Sequence, residues 1–406
     1  MPRADHFAVW DGNAPIVSVG ESSLTFGVWD RNAPVLIIDV QEAAQSVPHT
    51  YGDGIMLALF KQESVYGTWL SVWNATTACA MRDFDRASTQ DLWDDVLEDD
   101  DAVLHNTEYP LRQEIVRQSV RFSYTEPRVK PNTLAGLLGL ALGSLTTTQD
   151  GSVTAYRHKI VPASPLALPS INAQVAHTAA SQYLYTGMKS DGFTLRNNGA
   201  YLAFTCPLLG SGSREDVITE FVPAIDEAWL RWGDSRLYIA DMTGVVLSIP
   251  TTPGQTGSNL GSAAVDISTR ALSMEVNHPN ALWAEGGYRP STGVLRGRLL
   301  TAQRRTDVSL TLQVDTAREA TELAWYLQQS PLAFEWQCAS STLIAIGGTF
   351  YWGATILIPK LQLRRVQRGE DHAIGTIEFA GRILDDQTNP VMVGFVYNAQ
   401  PTYLAA

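Results

Sequence analysis

An alternating apolar pattern predicts a β-strand between Thr306 and Asp315. The apolar side chains occupy every second position and would share one face of the strand; they are Val308, Leu310, Leu312 and Val314. From Thr316 to Gln329 the apolar spacing changes to three and four residues, which predicts an amphipathic helix that ends before Pro331. This region therefore begins with a strand and continues as a helix.

More strands are predicted after this helix. One covers Leu332 to Gln337. Two others, Ile356 to Arg365 and Ala373 to Ile383, would form a hairpin around the polar turn Gln367 to Asp371. The region as a whole has the order strand, helix, hairpin.

The same order occurs earlier in the chain. An alternating segment from Glu114 to Tyr124 precedes a helical run from Asn132 to Leu142. A hairpin follows, with strands at Ser190 to Arg196 and Ala200 to Leu209 around an Asn-Asn-Gly turn. We interpret the two regions as an internal duplication of one β-rich domain.

The length of 406 residues suffices for two domains with accessory segments, because a domain takes roughly 100 to 200 residues. Two long segments, 143–181 and 279–303, are expected to make contacts, since long loops in compact domains are usually functional. The predicted division is an N-terminal arm at 1–48, a first domain at 49–215, a second domain at 216–395 and a C-terminal tail at 396–406.

The N-terminal arm contains a short repeat. Val9 to Pro15 and Val28 to Pro34 both follow the pattern Val-Trp-Asp-x-Asn-Ala-Pro. One interpretation is two similar turns in a small subdomain, since Asp, Asn and Pro favour turns. The other is an arm with two equivalent plugs that dock on the two equivalent surfaces of a duplicated body. The candidate assembly contacts are Trp10, Asp11, Trp29 and Asp30.

Composition and charge narrow the function. Hydrophobic residues make up 45% of the chain and charged residues 17%, as in a globular protein with a core. A net charge of −13 argues against a protein that binds nucleic-acid phosphates tightly, but not against one that DNA touches without being held. The odd number of widely spaced cysteines, Cys79, Cys206 and Cys338, predicts thiols in a reducing compartment.

An acidic block lies between Asp85 and Asp101, which contains eight carboxylates and a single basic residue, Arg86. Such a block could bind a divalent cation, but it lacks the spacing and glycine of a calcium loop. A solvated acidic helix or loop is the favoured interpretation, and a wall along a passage for DNA is the alternative. The candidate residues for an acidic lumen or solvent face are Asp94, Asp95, Glu98, Asp99, Asp100 and Asp101.

The sequence gives no reason to expect catalysis. It has no nucleophile elbow, phosphate-binding loop or zinc-binding motif, and its seven histidines are scattered without ligand spacing. We therefore predict a protein that is not an enzyme and needs no cofactor or metal. The longest apolar run, Leu134 to Leu142, is too short for a membrane span of about 20 residues, so we expect a soluble protein in which it forms a buried helix.

The duplicated strand, helix and hairpin resemble the tail tube proteins of long-tailed bacteriophages, in their larger form with a duplicated tube domain. Gln62 to Thr68 resembles the family's opening motif, a Gln or Lys followed by Glu and, later, Gly-Thr. Asn132 to Gly143 is similar to its first helix, and Tyr185 to Arg196 to the strand after it. Ala271 to Asn277 resembles the opening of the second domain.

The resemblance implies a mainly β fold of two tandem β-sandwich domains, each with a flanking helix, which contribute to a closed multi-subunit β-barrel. It implies trimeric, pseudo-hexameric rings that stack into a hollow tube and conduct the genome during ejection. It also implies tail-tip, tape-measure and tail-terminator proteins as partners, only transient and non-specific passage of DNA, no membrane insertion by this chain, and a place in the virion tail after assembly in the host cytoplasm.

Other function classes stay open. A tail fibre or baseplate protein would use the eleven tryptophans as apolar or sugar-stacking contacts, although tryptophan is more often buried. A neck or capsid component is a second alternative. A hydrolase with paired carboxylates is a third, and turnover of polysaccharide would reveal it.

Overall fold

The computed structural model describes residues 8–11, 14–20, 23–30, 33–40, 57–68, 79–81, 88–93, 95–99, 113–176, 182–216, 228–283, 287–288, 290, 292–301, 303–372 and 374–403. The chain divides into two compact units, Met1–Gly52 and Asp53–Ala406. Within the described residues the fold is mainly β, with two α-helices and a large antiparallel sheet.

The N-terminal unit is a four-stranded antiparallel meander. Its strands are β1 (Ala8–Asp11), β2 (Ala14–Gly20), β3 (Ser23–Asp30) and β4 (Ala33–Val40). Both copies of the Trp-Asp repeat lie where one strand gives way to the next, and they have the same register. Trp10 pairs with Pro15 across β1 and β2, and Trp29 pairs with Pro34 across β3 and β4. The repeated sequence therefore makes the same backbone pairing twice.

The second unit contains a pattern of strands that occurs twice, which we call the first and second repeats. The first repeat comprises β5 (Leu57–Gln62), β6 (Cys79–Met81), β7 (Ser88–Trp93), β8 (Val96–Asp99), β9 (Gln113–Arg117), β10 (Val120–Glu126), α1 (Pro131–Leu142), β11 (Gly143–Gln149), β12 (Tyr156–Pro162), β13 (Ile171–Ala176), β14 (Gln182–Ser190), β15 (Gly192–Asn198), β16 (Tyr201–Leu209) and β17 (Arg214–Asp216). The second comprises β18 (Ser235–Asp241), β19 (Ala264–Asp266), β20 (Ala271–Pro279), β21 (Leu282–Trp283), β22 (Leu300–Thr301), β23 (Asp307–Gln313), α2 (Glu319–Leu327), β24 (Leu332–Leu343), β25 (Tyr351–Asp371), β26 (Ile374–Ile383) and β27 (Val393–Asn398).

One antiparallel sheet of eight strands runs through both repeats, and we call it the eight-stranded sheet. Its order is β7, β10, β16, β15, β20, β23, β26 and the C-terminal half of β25. The first four strands and the last four follow the same plan. In each half, two strands that precede the helix in sequence come first, β7 and β10 or β20 and β23. Next to them lie the second and then the first strand of the hairpin that follows the helix, β16 and β15 or β26 and β25. The predicted duplication is thus present in the strand order, while the domain bounds stay a prediction.

Two outer sheets repeat in the same way. The first outer sheet has the order β6, β5, β13, β14, β17, and the second has β19, β18, β24, β25, β27. Among the described strands, the second is extended further, because the hairpin of β12 and β11 from the first repeat pairs with β27. The pairings of the described strands form an open network, with no closed barrel within the chain.

Each outer sheet is connected to the eight-stranded sheet by continuous chain. In the second repeat this is β25, 21 residues long, whose N-terminal part pairs with β24 and β27 and whose C-terminal part pairs with β26. In the first repeat the path breaks at Asp191 between β14 and β15. Gly192 then has φ +123°, and a Cβ there would lie 1.9 Å from the backbone oxygen of His278, so this position needs glycine.

The core lies between the sheets. All twelve residues of α1 are buried, and the helix contacts β12 and β27 on one side and β15 and β16 on the other. Pro131 begins the helix and Gly143, at φ +98°, ends it. Because the whole of α1 is buried, the predicted buried helix is confirmed. The predicted apolar face of β23 is also confirmed, since Val308, Leu310 and Leu312 are each 2% exposed.

The second helix is amphipathic and lies against β25. Trp325 and Glu322 are its buried residues, and Glu322 accepts a hydrogen bond from Arg270 Nη1 at 2.6 Å. Pairing of this buried carboxylate with a guanidinium offsets the cost of taking its charge out of water. No helix in the described part of the chain is long and apolar enough to cross a membrane.

Several local predictions were wrong. The segment Gln367 to Asp371 is the end of β25 and not a turn, because β25 and β26 pair up to Asp371 and Ile374. The predicted strand from Glu114 to Tyr124 is two strands, β9 and β10, in different sheets. The described acidic residues at 96–99 form β8, paired with β9, and not a helix or loop.

The two long segments contact their own chain. Within 143–181, β12 pairs with β27 of the second repeat. Within 279–303, Tyr288 donates a hydrogen bond to the Gln118 backbone oxygen at 2.9 Å, and Arg296 donates to the Gly210 backbone oxygen at 3.0 Å. A further contact of these segments with another ring stays a prediction.

Candidate assembly surface

The eight-stranded sheet ends in two edges at which the described residues provide a partner on one side only. One edge is β7, which pairs with β10, and the other is the part of β25 from Gln362 to Asp371, which pairs with β26. An unpaired strand edge presents N–H and C=O groups that can pair with another chain. The two edges are therefore candidate contacts between copies of the chain.

The chain contains an internal version of the contact that these two edges could make. Where the repeats meet, β15 pairs antiparallel with β20 through five residue pairs, from Gly192 with Pro279 to Arg196 with Glu275. In the repeated order β25 occupies the place of β15, and β7 occupies the place of β20. The two edges are thus equivalent by position to two strands that already pair.

One face of the eight-stranded sheet is polar. Its side chains lie at the strand positions that alternate with the core residues, and hydroxyl groups are common among them. Thr125 and Thr205 approach to 3.3 Å across β10 and β16, and Ser273 donates to Thr311 at 2.8 Å across β20 and β23. The partly or fully exposed residues with short polar side chains on this face include Ser123, Thr125, Thr194, Thr205, Asn277, Ser309 and Thr311.

Basic residues on the same face are matched by carboxylates. Arg382 donates to Asp307 at 2.9 Å, and Arg365 donates to Glu378 at 2.5 Å. Arg196 lies directly opposite Glu275 in the register of β15 and β20. Exposed pairs of this kind contribute little to stability, because water and salt screen them. The charges of Arg365 and Arg382 are therefore neutralised by ion pairs within the protein.

Three of the predicted acidic residues are described, and they lie outside the strands of the eight-stranded sheet. Asp95 forms an ion pair with Arg214 at 2.9 Å and accepts a hydrogen bond from the Ser119 backbone N–H at 3.2 Å. The Arg214 guanidinium lies 4.1 Å from the centre of the Trp93 ring. Glu98 is exposed on β8 and Asp99 ends that strand, whereas Asp94, Asp100 and Asp101 lie outside the described residues.

Glu98 and Asp99, on β8, lie outside the strands of the eight-stranded sheet. Strand β8 pairs only with β9 among the described strands, in a separate two-stranded sheet. Trp10, Asp11, Trp29 and Asp30 belong to the N-terminal unit, at the hairpin positions given above. The roles of both sets, as lumen or solvent face and as assembly contacts, stay predictions.

Two small hairpins occupy the same place in the two repeats. The hairpin of β8 and β9 lies between β7 and β10, and that of β21 and β22 lies between β20 and β23. Both carry apolar side chains in solvent: Leu97 is 52% exposed and Trp283 is 56% exposed. Equivalent apolar projections are unusual on a free surface and suit a contact with another subunit.

The segment with the resemblance to the family's opening motif is organised by a buried carboxylate. Glu63 is 5% exposed and accepts hydrogen bonds from the backbone N–H groups of Gly67 at 2.8 Å and Gly187 at 2.6 Å, and from Asn172 Nδ2 at 2.5 Å. Burial raises the pKa of Glu63, and these hydrogen bonds act in the opposite direction. The carboxylate therefore fixes the loop 63–68 against β13 and β14.

Two buried histidines lie where parts of the repeats meet. His158 on β12 is hydrogen-bonded to Thr147 Oγ1 at 2.9 Å and to Asn398 Oδ1 at 3.0 Å. His278 on β20 is hydrogen-bonded to Thr306 Oγ1 at 2.6 Å. Burial lowers the pKa of each histidine to about 4, and the Arg304 charge acts in the same direction on His278. Both rings are therefore neutral at pH 7.

Sequence reasoning missed the two edges and the polar face. The edges depend on strand order, which carries no local signal. The polar face did have a signal, since Ser309, Thr311 and Gln313 alternate with the apolar residues of the strand predicted at Thr306 to Asp315.

No protein family and no curated protein sequence matches this chain. Among solved structures, it is similar to the Hcp1 protein from the E. coli EAEC 042 pathovar, in a mutant form, with 12% identity and a TM-score of 0.22 over 40% of this chain and 96% of that one. It is also similar to a crystal structure of an Hcp protein, with 12% identity and a TM-score of 0.22 over 36% of this chain and 86% of that one. Scores this low carry no argument about function.

Proposed function

We propose that this chain is the structural subunit of a bacteriophage tail tube. Three copies form a pseudo-hexameric ring, and rings stack into a hollow tube that conducts the genome during ejection. The observation that carries the proposal is the repeated strand order of the eight-stranded sheet with its two edges, β7 and the C-terminal part of β25.

The repeated order supplies a rule for assembly. Within one chain the end of the first repeat pairs with the start of the second, β15 with β20. The same step between chains pairs β25 of one copy with β7 of the next. Such a head-to-tail contact gives a ring when its rotation closes and a filament when it does not. Closure into a barrel also removes both exposed edges.

The number of copies follows from the resemblance to duplicated tube proteins. Each chain supplies eight strands, so three chains would form a barrel of 24 strands with two similar repeats per chain. The sixfold pattern of repeats and the threefold pattern of chains are then both present in one ring. Electron microscopy distinguishes these two orders of symmetry.

The polar face suits the wall of a DNA channel. The core occupies the other face of the eight-stranded sheet, so closure leaves the polar face toward the axis. Tight DNA binding needs unpaired Lys and Arg to replace counterions along the phosphates. Here Arg365 and Arg382 are paired with carboxylates, and hydroxyl groups lie between them. Such a wall would let DNA slide without holding it.

Stacking needs contacts above and below the ring. The exposed apolar hairpins of β8–β9 and β21–β22 are placed equivalently in the repeats and are the proposed contacts between rings. The N-terminal unit, with its Trp-Asp repeats, is the proposed clip between neighbouring subunits. Tail-tip, tape-measure and tail-terminator proteins would start, measure and end the stack, with the tube assembled in the host cytoplasm and carried in the virion.

Electron microscopy of the purified full chain at increasing concentration tests the proposal, with and without tail-tip material. Hollow rings or filaments with threefold averages are expected. Solid, tapered or closed particles would contradict it and would favour a tail fibre, baseplate, neck or capsid component.

A further inference from the structure

A polar groove lies on the second outer sheet, away from the eight-stranded sheet. It has a volume of about 620 Å³ and is bounded by the start of β18, the later part of β24, the start of β25 and the segment 255–256. Gln337 and Ala339 of β24 line it, whereas the alternate residues Trp336 and Cys338 belong to the core. The groove is therefore on the face of this sheet opposite to the one that carries Trp336 and Cys338.

The lining is rich in neutral hydrogen-bonding groups. Six residues with hydroxyl side chains contribute, namely Ser235, Thr256, Ser268, Thr269, Ser340 and Ser341, together with the amide of Gln255 and the ring of Tyr351. The two formal charges in the lining, Asp234 and Arg236, have opposite signs. Three of the hydroxyls, those of Thr256, Thr269 and Ser341, have no hydrogen-bond partner among the described residues.

The base of the groove is fixed by a buried carboxylate. Glu335 is fully buried and accepts hydrogen bonds from the Asn259 backbone N–H at 2.7 Å, from Asn259 Nδ2 at 2.5 Å and from Gln337 Nε2 at 2.5 Å. Gln337 Nε2 also donates to the Gly257 backbone oxygen at 2.8 Å. Both donors of this amide are therefore committed to the protein, and its orientation is fixed.

That orientation leaves one acceptor unused. Gln337 is 2% exposed, and its Oε1 has no hydrogen-bond partner in the described part of the chain. A buried acceptor without a donor costs about 1 to 3 kcal/mol, so a hydroxyl donor at the base of the groove would be favoured. The walls are held as well, because Gln255 exchanges two hydrogen bonds with the backbone of Tyr351, both of 2.9 Å.

We propose that this groove binds a neutral oligosaccharide. Sugar hydroxyls both donate and accept hydrogen bonds, as do the serine, threonine and amide groups of the lining, and a sugar ring can lie on the face of Tyr351. The balanced charges give no basis for an anion such as phosphate. The volume lies in the range of about 300 to 1,000 Å³ that is typical of small-molecule sites. The proposal does not depend on tube assembly.

The test is a titration of the full-length chain with maltotriose, cellotriose and chitotriose, followed by saturation-transfer NMR and calorimetry. Saturable binding of at least one trisaccharide is expected. Ser341→Trp fills the groove from an exposed position and should weaken binding about tenfold or more, equivalent to about 1.4 kcal/mol. The matched control Ser152→Trp, in an exposed turn outside the groove, should bind as the unmodified chain does.

Gln337→Met removes the unused acceptor at similar size, together with the two hydrogen bonds that the amide donates. It should also weaken binding, with melting temperature measured to confirm folding. Absence of binding for all three sugars overturns the proposal, as does unchanged affinity in Ser341→Trp.

Discussion

Phe193 and His278 lie opposite each other where the two repeats join, with their ring centres 5.5 Å apart. Phe193 belongs to β15 of the first repeat and His278 to β20 of the second, and both are buried. This stacked pair packs the core side of a junction whose other side carries Thr194 and Asn277. The junction thus has a core face and a polar face, like any other strand pair of the sheet.

A substitution at Gly192 tests this junction. Gly192→Ala should destabilise the chain by about 3 kcal/mol or more, because the new Cβ would collide with the His278 backbone at a positive φ. Gly199→Ala is the matched control, since it also has a positive φ, +59°, but open space around it, and should cost only about 1 kcal/mol. Urea unfolding measures both changes. Equal losses would show that the close approach at Gly192 does not limit the junction.

Single prolines in β25 test the proposed contact between chains. Gln367 and Arg368 are adjacent, so one directs its N–H toward β26 and the other toward the free edge. Proline at the position whose N–H points toward β26 should destabilise the fold by about 3 kcal/mol, because it removes a hydrogen bond between the strands. Proline at the position whose N–H points toward the free edge should leave the melting temperature nearly unchanged and abolish rings in electron micrographs. Ring formation by a folded chain with the edge-facing proline would contradict the contact.

Removal of residues 1–35 tests the N-terminal unit. The body from Asp53 onward is a separate compact unit, so the truncated chain should still fold and show a cooperative thermal unfolding transition. Stacking should be poor, because the Trp-Asp repeats that we expect to clip neighbouring subunits are absent. The measurement is the length of filaments at matched protein concentration. Normal assembly by the truncated chain would rule out the clip.

The two buried histidines predict loss of stability in acid. Their pKa is about 4 in the folded chain and about 6.5 when unfolded, so below pH 6.5 the unfolded chain binds more protons and folding is disfavoured. Each should cost on the order of 3 kcal/mol once the pH reaches 4. Glu63 and Asp191 have raised pKa values and act in the opposite direction over part of this range.

Comparison of variants isolates the histidine effect. His158→Gln and His278→Gln keep a neutral hydrogen-bonding side chain, so each should show a smaller fall in unfolding free energy between pH 7 and pH 5 than the unmodified chain. Chemical denaturation at several pH values measures this. Parallel pH profiles for all three chains would exclude the histidines as the cause.

Removal of a carboxylate that neutralises an arginine on the polar face should increase DNA binding. Asp307→Asn leaves Arg382 without its carboxylate partner, so assembled tubes should retain a fluorescent double-stranded oligonucleotide more strongly, with a clear dependence on salt. Asp241→Asn is the control, since Asp241 is an exposed residue at the end of β18 in the second outer sheet. An equal effect of both substitutions would place the DNA contact outside the channel.

Local periodicity in the sequence was enough to predict α1, β23 and the duplicated order of elements, because core residues recur at the spacing of each element. It could not predict the pairing of β15 with β20, or of β12 with β27, since such contacts join residues far apart in sequence. The partner of Asp95 could not be predicted for a related reason. Charge density alone did not show that Asp95 would meet Arg214.

The hairpin of β11 and β12 exists in only one of the two repeats, where it extends the second outer sheet. A ring built from three such chains would look nearly sixfold along its channel but would carry only three of these hairpins around its circumference. Any tail component that binds the outside of the ring at these hairpins would then have three equivalent binding sites instead of six. Successive rings would also have a means to distinguish a rotation by one chain from a rotation by one repeat.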